Sequence, residues 1–239
     1  MRKLFFAFVA FLFLAAISCK DKDNTATLEL KINPTFGNKD VTLYEPILDE
    51  NGQKVLLIDK LYFYISDLKL NEVGAAEEIL LIDLEDVALN KGITAIKSGN
   101  YNSITLGLGV NEKLNHTDPA SYENSHPLGS DHTDKQWTWE TGYIFYKIEG
   151  KFSTQNDGKL DGDFLFHMGR DELFRTITIN KTVNLVKDGT TEVVLNLDFE
   201  KLFCSDEGID LKVESTSQAA PSQAELNEKF INRLVESIE

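Results

Sequence analysis

Leu61–Leu70 reads LYFYISDLKL and Gly142–Phe152 reads GYIFYKIEGKF. In both, β-branched and aromatic residues dominate and apolar side chains tend to alternate with polar ones, the period of a strand rather than of a helix. The same texture recurs in Thr27–Ile32 (TLELKI), Ile79–Leu84 (ILLIDL), Tyr101–Leu108 (YNSITLGL), Asp163–His167 (DFLFH), Thr176–Val186 (TITINKTVNLV) and Glu192–Phe199 (EVVLNLDF). Asn51-Gly52, Gly99-Asn100, Asn156-Asp157-Gly158 and Asp188-Gly189 punctuate these runs with residues that tolerate positive φ. The reading is all-β: a single antiparallel β-sandwich. Only Ser222–Ile238 has helical spacing, with Leu226, Phe230, Ile231, Leu234 and Val235 on one face, so a short C-terminal helix is expected.

The N-terminus predicts export. Met1-Arg2-Lys3 is followed by the apolar run Leu4–Ile17, too short for a comfortable bilayer span, and then by Ser18 and Cys19. Ala16-Ile17-Ser18-Cys19 looks like a bacterial lipobox, in which the cysteine is acylated and becomes the first mature residue. The expected organisation is therefore a lipoprotein signal peptide over 1–18, a flexible tether over 19–26, the sandwich over 27–204 and a tail with the short helix over 205–239. The expected location is the bacterial outer membrane, on its periplasmic side or at the cell surface. Removing residues 1–18 takes away two of the 24 Lys+Arg and none of the 39 Asp+Glu, so the net charge of −15 becomes −17. Such acidity argues against nucleic acid as a partner, because phosphates would be repelled. Cys204 is then the only thiol, which excludes an internal disulfide, and it reads as a buried small residue at a strand end.

One connection stands out. Asn111–Gln136 carries three of the four histidines and almost no aliphatic residues, and a loop of this length inside a compact domain is usually functional or disordered. His116, His126, His132, His167, Trp137 and Trp139 are all the histidines and tryptophans of the chain, and all lie within 116–167. Imidazoles gathered on one loop beside a strand suit a nitrogen-rich copper or zinc site, although no fixed metal-binding spacing is present and four unrelated surface histidines fit as well. Trp137 and Trp139 point the same way if the strand has begun; His167 and Met168 face opposite ways. The acidic stretch Asn156–Asp163 fails the calcium-loop template, with Phe164 where a bidentate acid belongs, and reads as a hairpin turn. No nucleophile elbow or phosphate-cradling glycine loop is present, so no catalytic residue is assigned.

Five blocks in order, Gly107-Leu108-Gly109-Val110, Asn115-His116-x-Asp118-Pro119, His126-Pro127-Leu128, Trp137-x-Trp139-x-x-Gly142-Tyr143-x-Phe145 and Phe166-His167-Met168-Gly169, resemble the signature of the MbnP-like copper-binding proteins. The resemblance covers the middle third of the chain directly. It implies a β-sandwich outside the cytoplasm that binds copper without catalytic turnover. It also implies that a tryptophan, here Trp137 or Trp139, is oxidised to kynurenine by a dihaem peroxidase-like partner and joins the histidines as a ligand. On this chain His116 and His167 are the leading metal ligands, with His126 and His132 behind them. Some relatives carry cysteines after the His-x-Gly element, where this chain has Arg170-Asp171-Glu172-Leu173. Two other classes compete: a structural or interaction module whose tryptophans are core, and a hydrolase or carbohydrate-binding sandwich with a groove of exposed aromatics.

Overall fold

The computed structural model describes residues 24–138 and 141–239. Cys19, with the signal and lipobox around it, and Trp139 lie outside the described residues.

The fold is all-β. A small sheet is built on β1 (Thr25–Phe36), whose inward residues Ala26, Leu28, Leu30 and Ile32 are buried while Thr27, Glu29 and Lys31 are only partly covered. The large sheet is built on the 17-residue β2 (Lys54–Leu70), with β3 (Ile79–Asp83) along one side. β4 (Gly92–Lys97) returns to the small sheet antiparallel to β1, and β5 (Ile104–Leu108) rejoins β2. After the long loop come the three-residue β6 (Gln136–Thr138), then β7 (Gly142–Phe152) and β8 (Gly162–Gly169), which extend the large sheet beyond β2. β9 (Arg175–Ile179) pairs with β5, and β10 (Thr190–Asp198) closes the small sheet.

The strand texture is therefore antiparallel for the most part, with two parallel pairings among the described residues, the short strand Thr216–Ser217 against β8 and a longer one in the small sheet. β10 runs parallel to β1 over nine residue pairs, from Thr27 opposite Thr190 to Thr35 opposite Asp198. Pairing between strands so far apart in the chain leaves no local mark, so alternation reveals the strands and not their direction. Three turn signals hold as expected, with Gly52, Asn156, Gly158 and Asp188 at positive φ. Gly99-Asn100 instead belongs to a short strand, Gly99–Tyr101, paired with Val183–Leu185.

Helices seal what the sheets leave open. α1 (Glu112–Asn115) starts the long loop, α2 (Phe199–Phe203) follows β10, and α3 (Ala224–Glu236) is the expected C-terminal helix. α3 does not lie loose: Phe230, Ile231 and Leu234 are fully buried, and the Phe230 ring stacks on Phe166 at 4.2 Å. Cys204 corrects its expectation, for it caps α2 and is exposed rather than buried at a strand end. The acidic Asn156–Asp163 stretch is a turn between β7 and β8 tied by its own side chains, Asp161 accepting from Thr154 and Asp157 from Lys159.

Candidate metal centre on the outer face of the large sheet

Register decides which side chains share a face. Asp83 of β3 lies opposite Tyr62 of β2, Tyr62 opposite Lys147 of β7, and Lys147 opposite His167 of β8. These four form one cross-strand row on the outer face. The adjacent residues Phe63, Tyr146 and Met168 form the matching row on the inner face and are 0–1 % exposed. Met168 thus faces away from His167, as strand alternation requires.

The long loop roofs this outer face and is pinned to it by buried tyrosines. Tyr64 donates its hydroxyl to the Pro127 carbonyl at 2.9 Å, and Tyr143 donates to the Leu128 carbonyl at 2.8 Å. Leu128 is fully buried between them. The block His126-Pro127-Leu128 is thereby explained as an anchor, since a buried phenol needs an acceptor and these carbonyls provide it. The first block is also packing: a Cβ on Gly107 would meet the Phe174 ring at 2.4 Å, and one on Gly109 the Phe145 ring at 2.4 Å.

Around the start of β7 and the end of β8, three of the other blocks meet. Asn115 is 1 % exposed; its Oδ1 accepts the Tyr143 N–H at 2.9 Å and its Nδ2 donates to Asp171 Oδ1 at 2.8 Å. The second Asp171 oxygen lies 2.7 Å from His116 Nε2. A single carboxylate therefore holds both residues of the Asn115-His116 pair. The Trp137 ring lies over Gly169, where a Cβ would come within 2.8 Å of it. Two residues back along β8, His167 Nε2 is 2.6 Å from Glu149 Oε1, and Lys147 Nζ approaches the same oxygen at 3.8 Å. Burial lowers the His167 pKa, against the hydrogen bond that its ring donates to the Glu149 carboxylate, and so favours the neutral ring.

The other loop histidines have different surroundings. His126 stacks flat on Tyr122, with centroids 4.3 Å apart, and its Nδ1 accepts the Leu128 N–H at 3.1 Å. His132 is on the 3-10 turn Ser130–Lys135 and is half-buried. Among the described residues, no group of three or more His, Cys, Asp or Glu side chains is gathered closely enough to hold a metal ion. His116 and His167 each stand instead with a carboxylate of their own. Asp171 and Glu149 were not legible as site residues: Asp171 occupies the segment where a disulfide was the only comparison, and Glu149 is one acid among many.

Burial also lowers the His126 pKa below its ordinary value of 6.5. A histidine with a depressed folded pKa stabilises the fold above its unfolded pKa, and that contribution is lost as pH falls through the folded one. The bond from Leu128 requires an unprotonated Nδ1, so the loss is local. Between about pH 7 and about pH 5.5 the exchange protection factor of the Leu128 amide is expected to fall. Protection that holds constant over that range would show that His126 does not anchor the turn.

These features define a class: an all-β sandwich whose outer sheet face is roofed by a histidine-bearing loop pinned through tyrosine hydroxyls. The family model for MbnP matches residues 25–223, and the chain belongs to the MbnP family. Its fold is similar to that of MbnP from Methylosinus trichosporium, with a TM-score of 0.56, 13% sequence identity and 82% of each chain covered. No curated protein matches.

Proposed function

We propose that this protein binds copper at the bacterial cell envelope, serving its acquisition, storage or handling without catalytic turnover. Lipid on Cys19 holds it to the outer membrane. His116 and His167 are the imidazole ligands, and Trp137 or Trp139, oxidised to kynurenine, is the third. A dihaem peroxidase-like partner carries out the oxidation.

The observation that carries this reading is the pairing of each leading imidazole with a carboxylate through Nε2, His116 with Asp171 and His167 with Glu149. Metal-bound histidines commonly hold their second ring nitrogen in this way, which fixes the ring and leaves the other lone pair for the metal. Neutral imidazole suits copper in either oxidation state. An intact indole N–H has no comparable lone pair, so the tryptophan needs its ring opened before it can serve as a ligand. The lack of a three-group cluster among the described residues favours the competing structural module. Measurement separates the two.

That measurement is intact mass together with metal content, on protein purified from its native envelope. Kynurenine formation adds two oxygens and removes one carbon monoxide, a gain of about 4 Da on top of the lipid. Stoichiometric copper with that gain is the expected result. Copper at unshifted mass would retain binding and remove the modification, whereas metal-free, unmodified protein from copper-replete cells would overturn both.

A further inference from the structure

Lys135 is the side chain of the long loop that no ligand role absorbs. It ends the 3-10 turn Ser130–Lys135, two residues before Trp137, and it points inward: its side chain is 9% exposed and that of Asp83 is 8%. Its Nζ lies 3.1 Å from Asp83 Oδ2 and 3.1 Å from Asp134 Oδ2, and sits 5.1 Å from the centroid of the Tyr62 ring. Burial alone would lower the lysine pKa, but the hydrogen bond and charge of Asp83, joined by Asp134, outweigh it and keep the ammonium charged. Lys147 Nζ approaches the same Tyr62 ring at 5.7 Å. The seat of Lys135 is therefore one end of the row Asp83, Tyr62, Lys147, His167, with His167 at the other end.

A buried ion pair is roughly neutral for stability when compared with an apolar pair of equal volume. What it adds is direction, because the partners lose heavily if they separate. Direction is what this part of the loop lacks otherwise. β6 has only three residues, and its register against β7 shifts between Gln136 opposite Tyr143 and Thr138 opposite Gly142. So short and irregular a pairing fixes the following side chains weakly.

We propose that Lys135 is a positioning residue: seated between Asp83 and Tyr62, it sets the start of β6 and thereby holds the Trp137 ring against Gly169. Its bearing on copper rests on the reading of Trp137 as a site residue. The positioning itself does not.

The test uses metal-free protein with Trp139→Phe in every sample, so that emission and quenching report Trp137 alone. Lys135→Met strands the Asp83 carboxylate and is expected to lower the melting temperature. The double variant Lys135→Met with Asp83→Asn removes both charges and is expected to recover most of that loss. In both, acrylamide should reach Trp137 more readily, and amide exchange over 136–138 should quicken about tenfold. Lys135→Arg, which keeps the charge, should restore the parental behaviour. A double variant with recovered melting and parental quenching overturns the proposal; Lys135→Arg exposing Trp137 as far as Lys135→Met does so too, by removing the ion pair as the holding element. Metal-free, unmodified protein with both tryptophans in place, purified from copper-replete envelopes, would defeat the functional reading while leaving the quenching result decisive for Lys135.

Discussion

Gly169→Ala is expected to destabilise the fold by about 2–3 kcal/mol and to drive the Trp137 ring off β8, read as a lower melting temperature together with red-shifted tryptophan emission. The new Cβ would stand 2.3 Å from the Tyr143 carbonyl oxygen and 2.8 Å from the Trp137 ring. The first contact is with backbone in a paired strand, next to Ile144 opposite Gly169, so it cannot be relieved by a rotamer change. The second is with a partly buried ring packed on the core, which can yield only by leaving its place. Both contacts push on the same few residues, so stability and tryptophan environment should change together. A variant that melts like the parent with an unshifted spectrum would mean that Trp137 is not seated on Gly169. In the copper reading the same substitution also weakens metal uptake, because it moves a ligand candidate relative to His167.

The His-x-Gly element was legible in the sequence as a pattern, and the structure gives its two residues different reasons. His167 faces outward with its imidazole beside Glu149, and Gly169 is there because any side chain would collide with Tyr143 and Trp137. Much of the fold was open to the same reading. β7 spans Gly142–Phe152 as its alternation predicts, and α3 buries Phe230, Ile231 and Leu234 of the expected apolar face. β4, Gly92–Lys97, escaped notice because GITAIK is short and carries glycine and alanine, residues depleted in strands. The row Asp83, Tyr62, Lys147, His167 escaped it for a deeper reason. Its members come from four strands, and only long-range register makes them neighbours. Lys135 and Asp83 look like surface charges in an acidic chain until the loop folds back and buries them together. The histidine loop stood out by length and composition. Its hold on the sheet, through the Tyr64 and Tyr143 hydroxyls, depends on which carbonyls the fold brings within reach.

Asn115→Ala should be the costliest single change on the other side of the site, at about 2 kcal/mol by thermal or chemical unfolding, since it takes a bond from two partners, one of them buried and costing about 1–3 kcal/mol when stranded. One is the Tyr143 N–H, held at 2.9 Å, and the other is Asp171 Oδ1, held at 2.8 Å. Solvent cannot easily replace the side chain, because Asn115 is 1 % exposed and lies directly over Gly142, whose φ of +81° and missing Cβ make room for it. Asn115→Asp separates the two bonds. It keeps an acceptor for Tyr143 but sets a carboxylate against Asp171, and two carboxylates in contact raise one another's pKa. A raised carboxylate pKa means that stability returns as protons are bound, so Asn115→Asp should recover relative to the parent as pH falls from about 7 to about 5. The opposite drift expected from His126 and His167 is shared by the parent and cancels in that comparison. A pH-independent gap between Asn115→Asp and the parent would mean that Asp171 is not held through Asn115. Recovery of the gap would identify Asp171 as the common anchor of Asn115 and His116, and His116 would then owe its place beside the sheet to that carboxylate.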